Sequence, residues 1–535
     1  MIENTVPIRR FSCLLLALFF YESSAFAETE NLITNPGLDK SIAPWRDQSY
    51  WAGTVSCVGD KNAARSGLGC MRLVATEKSG THWGRVYQPV KAKCFIGRYS
   101  YRMWVKGTGE LSLGVINYAQ EGNKQVNSSP FWQKTPVKLT GEWQETSFEF
   151  TIADPQVSML GALVEVRGAG SEAYIDDVSL TACQDANVTI EAQQKHQIVS
   201  EGSFLPKLSF KLSKLGKSLS EAPVDLYVIF PDGSHAITKS ATDANGIYSY
   251  SPEHIKSNMP GVCKVICSAP ESGVLSEVFI DVIDRASYAE MDAIARQVKV
   301  AKPLRILYLG DSLTDYYRGH NYADKSDFWL NQYNPGVASF RNAGVGGDFI
   351  TRVWERIEGM EGARKAYRQN MYDGLFDEKT DLVFIFLGHN DTKASSDSGY
   401  KSPFVDLKTQ EETCRKLIDY IRNKTDARIV LLTSSSSFFP RCKANAEKQA
   451  SLGKEHRLFG QPEMLEAFNE VVKRLSRELH VDCIDVYNPT KDHPDKAGLF
   501  SPEDGIHLTE KGNSFIAMLV LKYFAKSTEG GNCRL

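Results

Sequence analysis

The chain has 535 residues, of which 42% are hydrophobic and 24% charged, and its formal net charge is −3. That length exceeds one ordinary domain and calls for three or four at roughly 150 residues each. The near-neutral balance argues against nucleic-acid binding, which needs a basic excess on one face, and nothing in the composition points to a membrane or polyanion partner.

In chain order, Arg9 and Arg10 open a positive start, Phe11 to Tyr21 form an apolar run, and Ala25-Phe26-Ala27 is a small-x-small cleavage site. Residues 1–27 therefore read as an export signal, too short in its apolar run for a permanent membrane span. No later stretch of about 18 apolar residues occurs, so a secreted or periplasmic protein is expected. Of the eleven cysteines, Cys13 falls in this leader. An even remainder in an exported chain favours disulfides of undetermined pairing. A Cys263–Cys267 bridge is disfavoured, because four residues of strand separate the Cα atoms by roughly 13 Å. No CxxC pair is present, which argues against a thiolate zinc site.

Residues 28–183 read as all-β. Tyr99, Tyr101, Met103 and Val105 alternate with Ser100, Arg102, Trp104 and Lys106, and Thr146, Phe148, Phe150 and Ile152 repeat the pattern. Such runs, separated by turn residues, predict a β-sandwich. The opening Asn35-Pro36-Gly37-Leu38-Asp39 with Trp45, and the closing Ala173-Tyr174-Ile175-Asp176-Asp177-Val178-Ser179-Leu180, resemble the first and last strands of carbohydrate-binding jelly-roll modules. The resemblance implies a structural calcium with an acidic residue near each end, here Asp39 and Asp176, although Asp39 stands where Glu is usual. Trp104 falls on the polar face of its strand, where an exposed indole is a natural platform for a sugar ring. Tyr118 and Trp83 are further candidates, against the alternative that these aromatics are core.

Residues 184–285 form a second β region. Val224 to Phe230 is a strand candidate, Pro231-Asp232-Gly233 and Asp243-Ala244-Asn245-Gly246 are turns, and Phe279 to Ile283 closes the region. An immunoglobulin-like sandwich serving as a spacer is expected.

From Ala286 the pattern changes. A helix over 286–299 precedes the strand Arg305-Ile306-Leu307-Tyr308-Leu309, and apolar runs at 381–388, 428–433 and 481–486 alternate with helical segments at 410–424 and 463–479. Strands alternating with helices predict a parallel sheet covered on both faces. Polar clusters follow these strands, where active residues gather in open α/β sheets. They are Gly310-Asp311-Ser312-Leu313, then Asn342-Ala343-Gly344-Val345-Gly346-Gly347-Asp348 after a short strand from Ser339, then Gly388-His389-Asn390-Asp391. Asp504-Gly505-Ile506-His507 lies further on, just before a helix.

Singly, each cluster has a plainer reading. Gly-Asp-Ser is a common turn, the glycine run fits any tight loop, and Asn390-Asp391-Thr392 is also a glycosylation sequon. Asp232-Gly233-Ser234-His235 repeats the Asp-to-His spacing and is better read as a hairpin. Together, and in this order, the four clusters resemble the GDSL, or SGNH, hydrolase family over residues 286–535. The resemblance implies a flavodoxin-like α/β domain with Ser312 as nucleophile, His507 as base and Asp504 as acid. It also implies an oxyanion hole from the N–H groups of Ser312 and Gly347 and the side-chain amide of Asn390. No catalytic cofactor is implied. A serine hydroxyl is a weak nucleophile until a base takes its proton, and a third group must orient that base. The absence of Gly-x-Ser-x-Gly around Ser312 excludes the α/β-hydrolase elbow. Asp311 is the rival acid, but adjacency in the chain directs its side chain elsewhere. Asp315, Asp348, His389 and Asp391 read as structural or pocket-lining, and His320, His456 and His493 show no partner pattern.

The whole reads as a secreted esterase that removes acetyl groups from a polysaccharide held by the first sandwich. The alternatives are a lipase, lysophospholipase or thioesterase of the same family, and a binding or adhesion protein with a silent hydrolase domain.

Overall fold

A computed structural model describes residues 31–528 apart from 48–52, 79–80, 91–94, 122–123, 128–130, 156, 195, 253–257, 301, 316–318, 361–362, 364–370, 377–378 and 452–455. The expected leader, Cys94 and Cys533 lie outside the described residues. Two compact units emerge. One comprises Met1–Lys195, Pro206–Glu253 and Cys263–Phe279; the other comprises His196–Leu205, His254–Val262 and Ile280–Leu535.

The first unit is built from β-strands. Gly97–Glu121 and Val157–Ala182 run antiparallel, with Leu111 opposite Val166 and Tyr101 opposite Leu180. The outer partners are Gln144–Ile152, which pairs with the former, and Thr81–Val90 and Cys70–Ala75, which pair with the latter. Tyr99, Tyr101, Met103 and Val105 are fully buried, as the two-residue period requires. Trp104 takes the other face and is half-buried, with the Arg65 guanidinium 3.8 Å from its ring centre. Tyr118 is half-buried and meets Tyr87 edge-on. The side chain of Trp83 lies outside those described.

The calcium candidates hold a loop. Asp176 is buried and accepts the N–H groups of Arg65 at 2.9 Å, Ser66 at 3.1 Å and Asp177 at 2.8 Å, while Asp39 accepts that of Leu68. Among the described residues no group of three or more His, Cys, Asp or Glu side chains is placed to hold a metal.

In the second sandwich, Val188–Ala192, Leu208–Lys214, Lys217–Ser218 and Ile247–Tyr250 form one sheet. Val274–Ile283, Gly261–Ala269, Pro223–Ile229 and His235–Ala241 lie side by side in the other. Both turns fall where the sequence puts them. Ser234 donates its N–H to Asp232 at 2.9 Å, and Asn245 donates to Asp243 at 2.8 Å. His235 begins an exposed strand, so its Asp-to-His spacing is indeed a hairpin feature.

The second unit carries a five-stranded parallel sheet. Its strands are β1 (Leu304–Gly310), β2 (Ala338–Asn342), β3 (Leu382–Phe386), β4 (Arg428–Leu432) and β5 (Asp482–Ile484), in the order 2-1-3-4-5. That order is the flavodoxin-like arrangement expected. The helices in chain order begin with α1 (Arg285–Ala295), α2 (Tyr322–Gln332), α3 (Ile350–Glu358), α4 (His389–Thr392, one turn), α5 (Leu407–Lys424), α6 (Phe439–Ser451) and α7 (Pro462–Glu478). Two short turns, α8 (Tyr487–Lys491) and α9 (Lys496–Leu499), precede α10 (Glu510–Thr528).

The alternation along each strand divides the core in two. Ile306, Tyr308, Phe384, Phe386 and Val430 pack with Trp329 of α2 and Ile516, Val520 and Phe524 of α10. Leu307, Leu309, Val383, Ile385 and Leu431 point the other way, onto Val353 of α3, Leu417 and Ile421 of α5 and Leu475 of α7. Burial on both faces is why these strands read as continuous apolar runs.

Lys325 on α2 is fully buried in this unit. Its ammonium bonds Asp281 and reaches Glu510 at 3.2 Å, and His196 lies 2.5 Å from the same Asp281 oxygen. Attraction to Lys325 and His196 holds Asp281 well below the usual carboxylate range against the opposing effect of burial.

Cys183, Cys267, Cys414, Cys442 and Cys483 are thiols, so the even cysteine count does not translate into bridges at these positions. Cys267, Cys414 and Cys442 are buried as small apolar side chains, while Cys183 and Cys483 are half-buried. Burial pushes the Cys414 thiol up to about 12 and those of Cys442 and Cys483 up to about 11. No helix among the described residues is long and apolar enough to cross a membrane.

Candidate active site

All four clusters converge at the carboxyl edge of the parallel sheet. Ser312 follows β1 and is half-buried, and its Oγ lies 2.9 Å from His507 Nε2. His507 Nδ1 lies 2.6 Å from Asp504 Oδ2. The other Asp504 oxygen accepts the N–H groups of Ile506 at 2.8 Å and His507 at 2.9 Å. Burial opposes ionisation of Asp504, but the bond and charge of His507 outweigh it, and the carboxyl is held down at about 2. Asp504 therefore stays an anion that fixes the imidazole tautomer, leaving Nε2 to take the serine proton.

The loop carrying base and acid is closely fitted. Gly505 has φ +73°, and a Cβ there would stand 2.5 Å from the Phe438 carbonyl, so only glycine fits. Phe438 donates its N–H to the Gly505 carbonyl at 2.8 Å. Arg441 on α6 bonds the carbonyls of Ala497 and Phe500, each at 2.8 Å, and braces the approach to the loop.

Gly347 has φ +81° at the turn into α3, and its missing side chain leaves the backbone N–H open to close approach. Asn390 is buried on α4, and its amide donates to Asp311 at 3.4 Å. A buried side chain engaged in this way cannot accept a glycan, so the sequon reading fails. Asp311 is not the acid. It is buried, and its other oxygen accepts the Leu313 N–H at 2.9 Å. Asp348 is buried in a paired contact with Arg356 at 2.6 and 3.0 Å, which is a structural role. Asp315 bridges through its backbone to Gly344.

The run Thr433-Ser434-Ser435-Ser436-Ser437 after β4 was not singled out by the sequence reading. All five residues are buried. Ser435 Oγ lies 3.0 Å from His389 Nε2, and Asn469 on α7 exchanges two bonds with the backbone of Ser434. Burial, then the charge of His507, pushes His389 down to about 4, so it stands as a neutral ring beside the base. The strand-end rule that exposed the other clusters would have found this one, since it follows directly on an apolar run.

Asp311 and Asp391 are both pushed up to about 7, chiefly by burial. Each therefore binds a proton more readily folded than unfolded, and their contribution to stability is lost as pH rises from about 4 through 7. Asp391→Asn keeps an acceptor for the Ile350 N–H, bonded at 2.9 Å, and removes the buried charge. Thermal unfolding between pH 4 and 8 should show a shallower decline for this variant than for wild type. An unchanged profile would rule out titration of Asp391 as its source.

A flavodoxin-like sheet presents a Ser–His–Asp arrangement at its strand ends, a geometry suited to nucleophilic hydrolysis. Residues 308–515 match the family described as GDSL-like Lipase/Acylhydrolase, and this part of the chain is a domain of that family, an ester-bond hydrolase. Among solved structures, the chain is similar to the lipase/acylhydrolase from Enterococcus faecalis, at 18% identity, TM-score 0.32, and coverage of 42% of this chain and 96% of that one. A putative GDSL-like lipase from Parabacteroides merdae gives 19%, 0.30, 43% and 98%. The xylan-binding domain CBM22-1 from Paenibacillus barcinonensis gives 13%, 0.23, 30% and 97%. No curated protein matches the chain.

Proposed function

We propose that the protein is an exported serine esterase that deacetylates a polysaccharide. The observation that carries the esterase is the continuous relay Ser312–His507–Asp504, with steps of 2.9 and 2.6 Å. Ser312 Oγ attacks the ester carbonyl as His507 takes its proton, and the N–H groups of Ser312 and Gly347 with the Asn390 amide hold the oxyanion. The alkoxide leaves with the proton from His507, and water, activated by the same imidazole, hydrolyses the acyl-enzyme.

The polymer substrate is inferred from domain company: a β-sandwich with an outward-facing Trp104 precedes the hydrolase domain. In this reading the first sandwich holds glycan and the second is a spacer. Trp104 offers an indole already flanked by Arg65, so a sugar would stack there only on the ring face left open. The leader over residues 1–27 supplies the export route.

A series of p-nitrophenyl esters beside acetylated polysaccharides tests the acyl preference. Acetyl esters should give the highest kcat/KM, and free acetate should appear from a polymer. Preference for long-chain esters would replace this reading with a lipase or thioesterase.

A further inference from the structure

Two asparagines join the chain just after the nucleophile to the chain just after the base. Asn321 immediately precedes α2 and is buried. Its side-chain oxygen accepts the Ala323 N–H at 3.0 Å and caps the helix. Its amide donates to the carbonyls of Thr314 at 3.1 Å and Asp315 at 3.2 Å, in the segment that follows Ser312. Asn513 lies in the first turn of α10 and is also buried. Its amide donates to the Thr509 carbonyl at 3.0 Å, with a longer contact to that of Leu508 at 3.5 Å, in the segment that follows His507. Its side-chain oxygen accepts the N–H of Tyr322, the first residue of α2, at 3.2 Å.

The residue types suit a link better than a cap alone. Aspartate caps a helix as well as asparagine does, but a carboxylate only accepts and would repel the two carbonyls. The Tyr322 N–H is among the donors that a helix start leaves without an intrahelical partner, and Asn513 takes it up from another helix. On the nucleophile side, Thr314 is fully buried, with its Oγ1 3.1 Å from the Tyr322 hydroxyl. Its N–H donates to the Asp311 carbonyl at 3.1 Å, which closes the turn that carries Ser312. The two helices are held by other means as well. Trp329 of α2 packs with Ile516 and Val520 of α10, and Lys325 bonds Glu510 at 3.2 Å. Removing an asparagine therefore loosens the ends of α2 and α10 without undocking them.

We propose that Asn321 and Asn513 are positioning residues that act in series, through the start of α2, to set the distance between Ser312 Oγ and His507 Nε2. This role rests on the esterase reading and adds what holds its relay in register. Proton transfer needs the two atoms within about 2.6–3.2 Å of each other, and they stand 2.9 Å apart. A misplacement of about 1 Å, caused far from the chemistry, can cost about 100-fold. The asparagines act through the relay, so their loss falls on kcat and spares KM.

The test compares full-length Asn321→Ser and Asn513→Ala with wild type on p-nitrophenyl acetate, with thermal unfolding followed by circular dichroism. Serine still caps a helix but is too short to reach the Thr314 and Asp315 carbonyls. Each variant should remain folded at the assay temperature and lose about tenfold to 100-fold in kcat, with KM within about twofold of wild type. Cutting a series link twice adds nothing, so the double variant should match the more impaired single one. Wild-type kcat in Asn321→Ser would reduce Asn321 to a helix cap and overturn the proposal. Losses that multiply in the double variant, or that merely follow the unfolded fraction, would overturn it too. Absence of Ser312-dependent turnover by the wild type on every ester would instead overturn the esterase reading and the positioning role with it.

Discussion

Ser312→Ala should reduce the turnover of p-nitrophenyl acetate by about 10,000-fold to 1,000,000-fold while leaving the unfolding transition in place. The size follows from the direct Ser312–His507 contact, while the neighbouring Asp311 is turned away toward Leu313 and Asn390. Residual catalysis would come from the oxyanion donors, which stabilise attack by water. Stability should be insensitive because Ser312 is half-buried and loses one hydroxyl, whose recorded bond is to His507. Asn390→Ala makes a useful contrast, since removing one oxyanion donor costs about 100-fold to 1,000-fold. Steady-state kinetics with circular dichroism checks both. A Ser312→Ala enzyme retaining a tenth of wild-type turnover would remove Ser312 from the chemistry.

The largest effect on stability should come from Lys325→Met. The side chain is fully buried, and its ammonium is shared between Asp281 and Glu510. Removing one partner from a buried ion group leaves the others desolvated and costs about 3–5 kcal/mol, whereas replacing all partners by apolar groups can be neutral. Here the loss leaves Asp281 with His196 and the nearby His320, and Glu510 with Ser514, its bond partner at 2.6 Å. Urea denaturation followed by residual esterase activity reports on this unit. A midpoint shift equivalent to less than about 1 kcal/mol would mean that water reaches the cluster and screens it.

The α/β domain was legible because its signals are local. Apolar runs give the strands, whereas Ser312, Gly347, Asn390 and His507 were assigned through the order of the four clusters and its resemblance to the GDSL family. The Asp-to-His spacing alone did not suffice, since Asp232 and His235 share it. The Lys325 cluster was not legible, since His196, Asp281, Lys325 and Glu510 come from segments far apart in the chain, and no spacing rule links them. The compact unit also takes in Ile280 onward and His196–Leu205, segments that the change of pattern at Ala286 does not mark. Trp104 was placed on the correct face by alternation, but the Arg65 side chain above it comes from a loop whose position depends on Asp39 and Asp176. The cysteines were read through an expected export route, whereas Cys267, Cys414 and Cys442 sit buried like small apolar residues.

The relay joins residues 195 positions apart, with the nucleophile near the start of its domain and the base near the end. On the ribosome, the serine, the glycine turn and the asparagine are all made before the loop that activates them. On the proposed mechanism, a nascent chain halted before Asp504 would hold the nucleophile and its oxyanion donors but lack the base. Ester cleavage would then begin only once synthesis has passed the last loop.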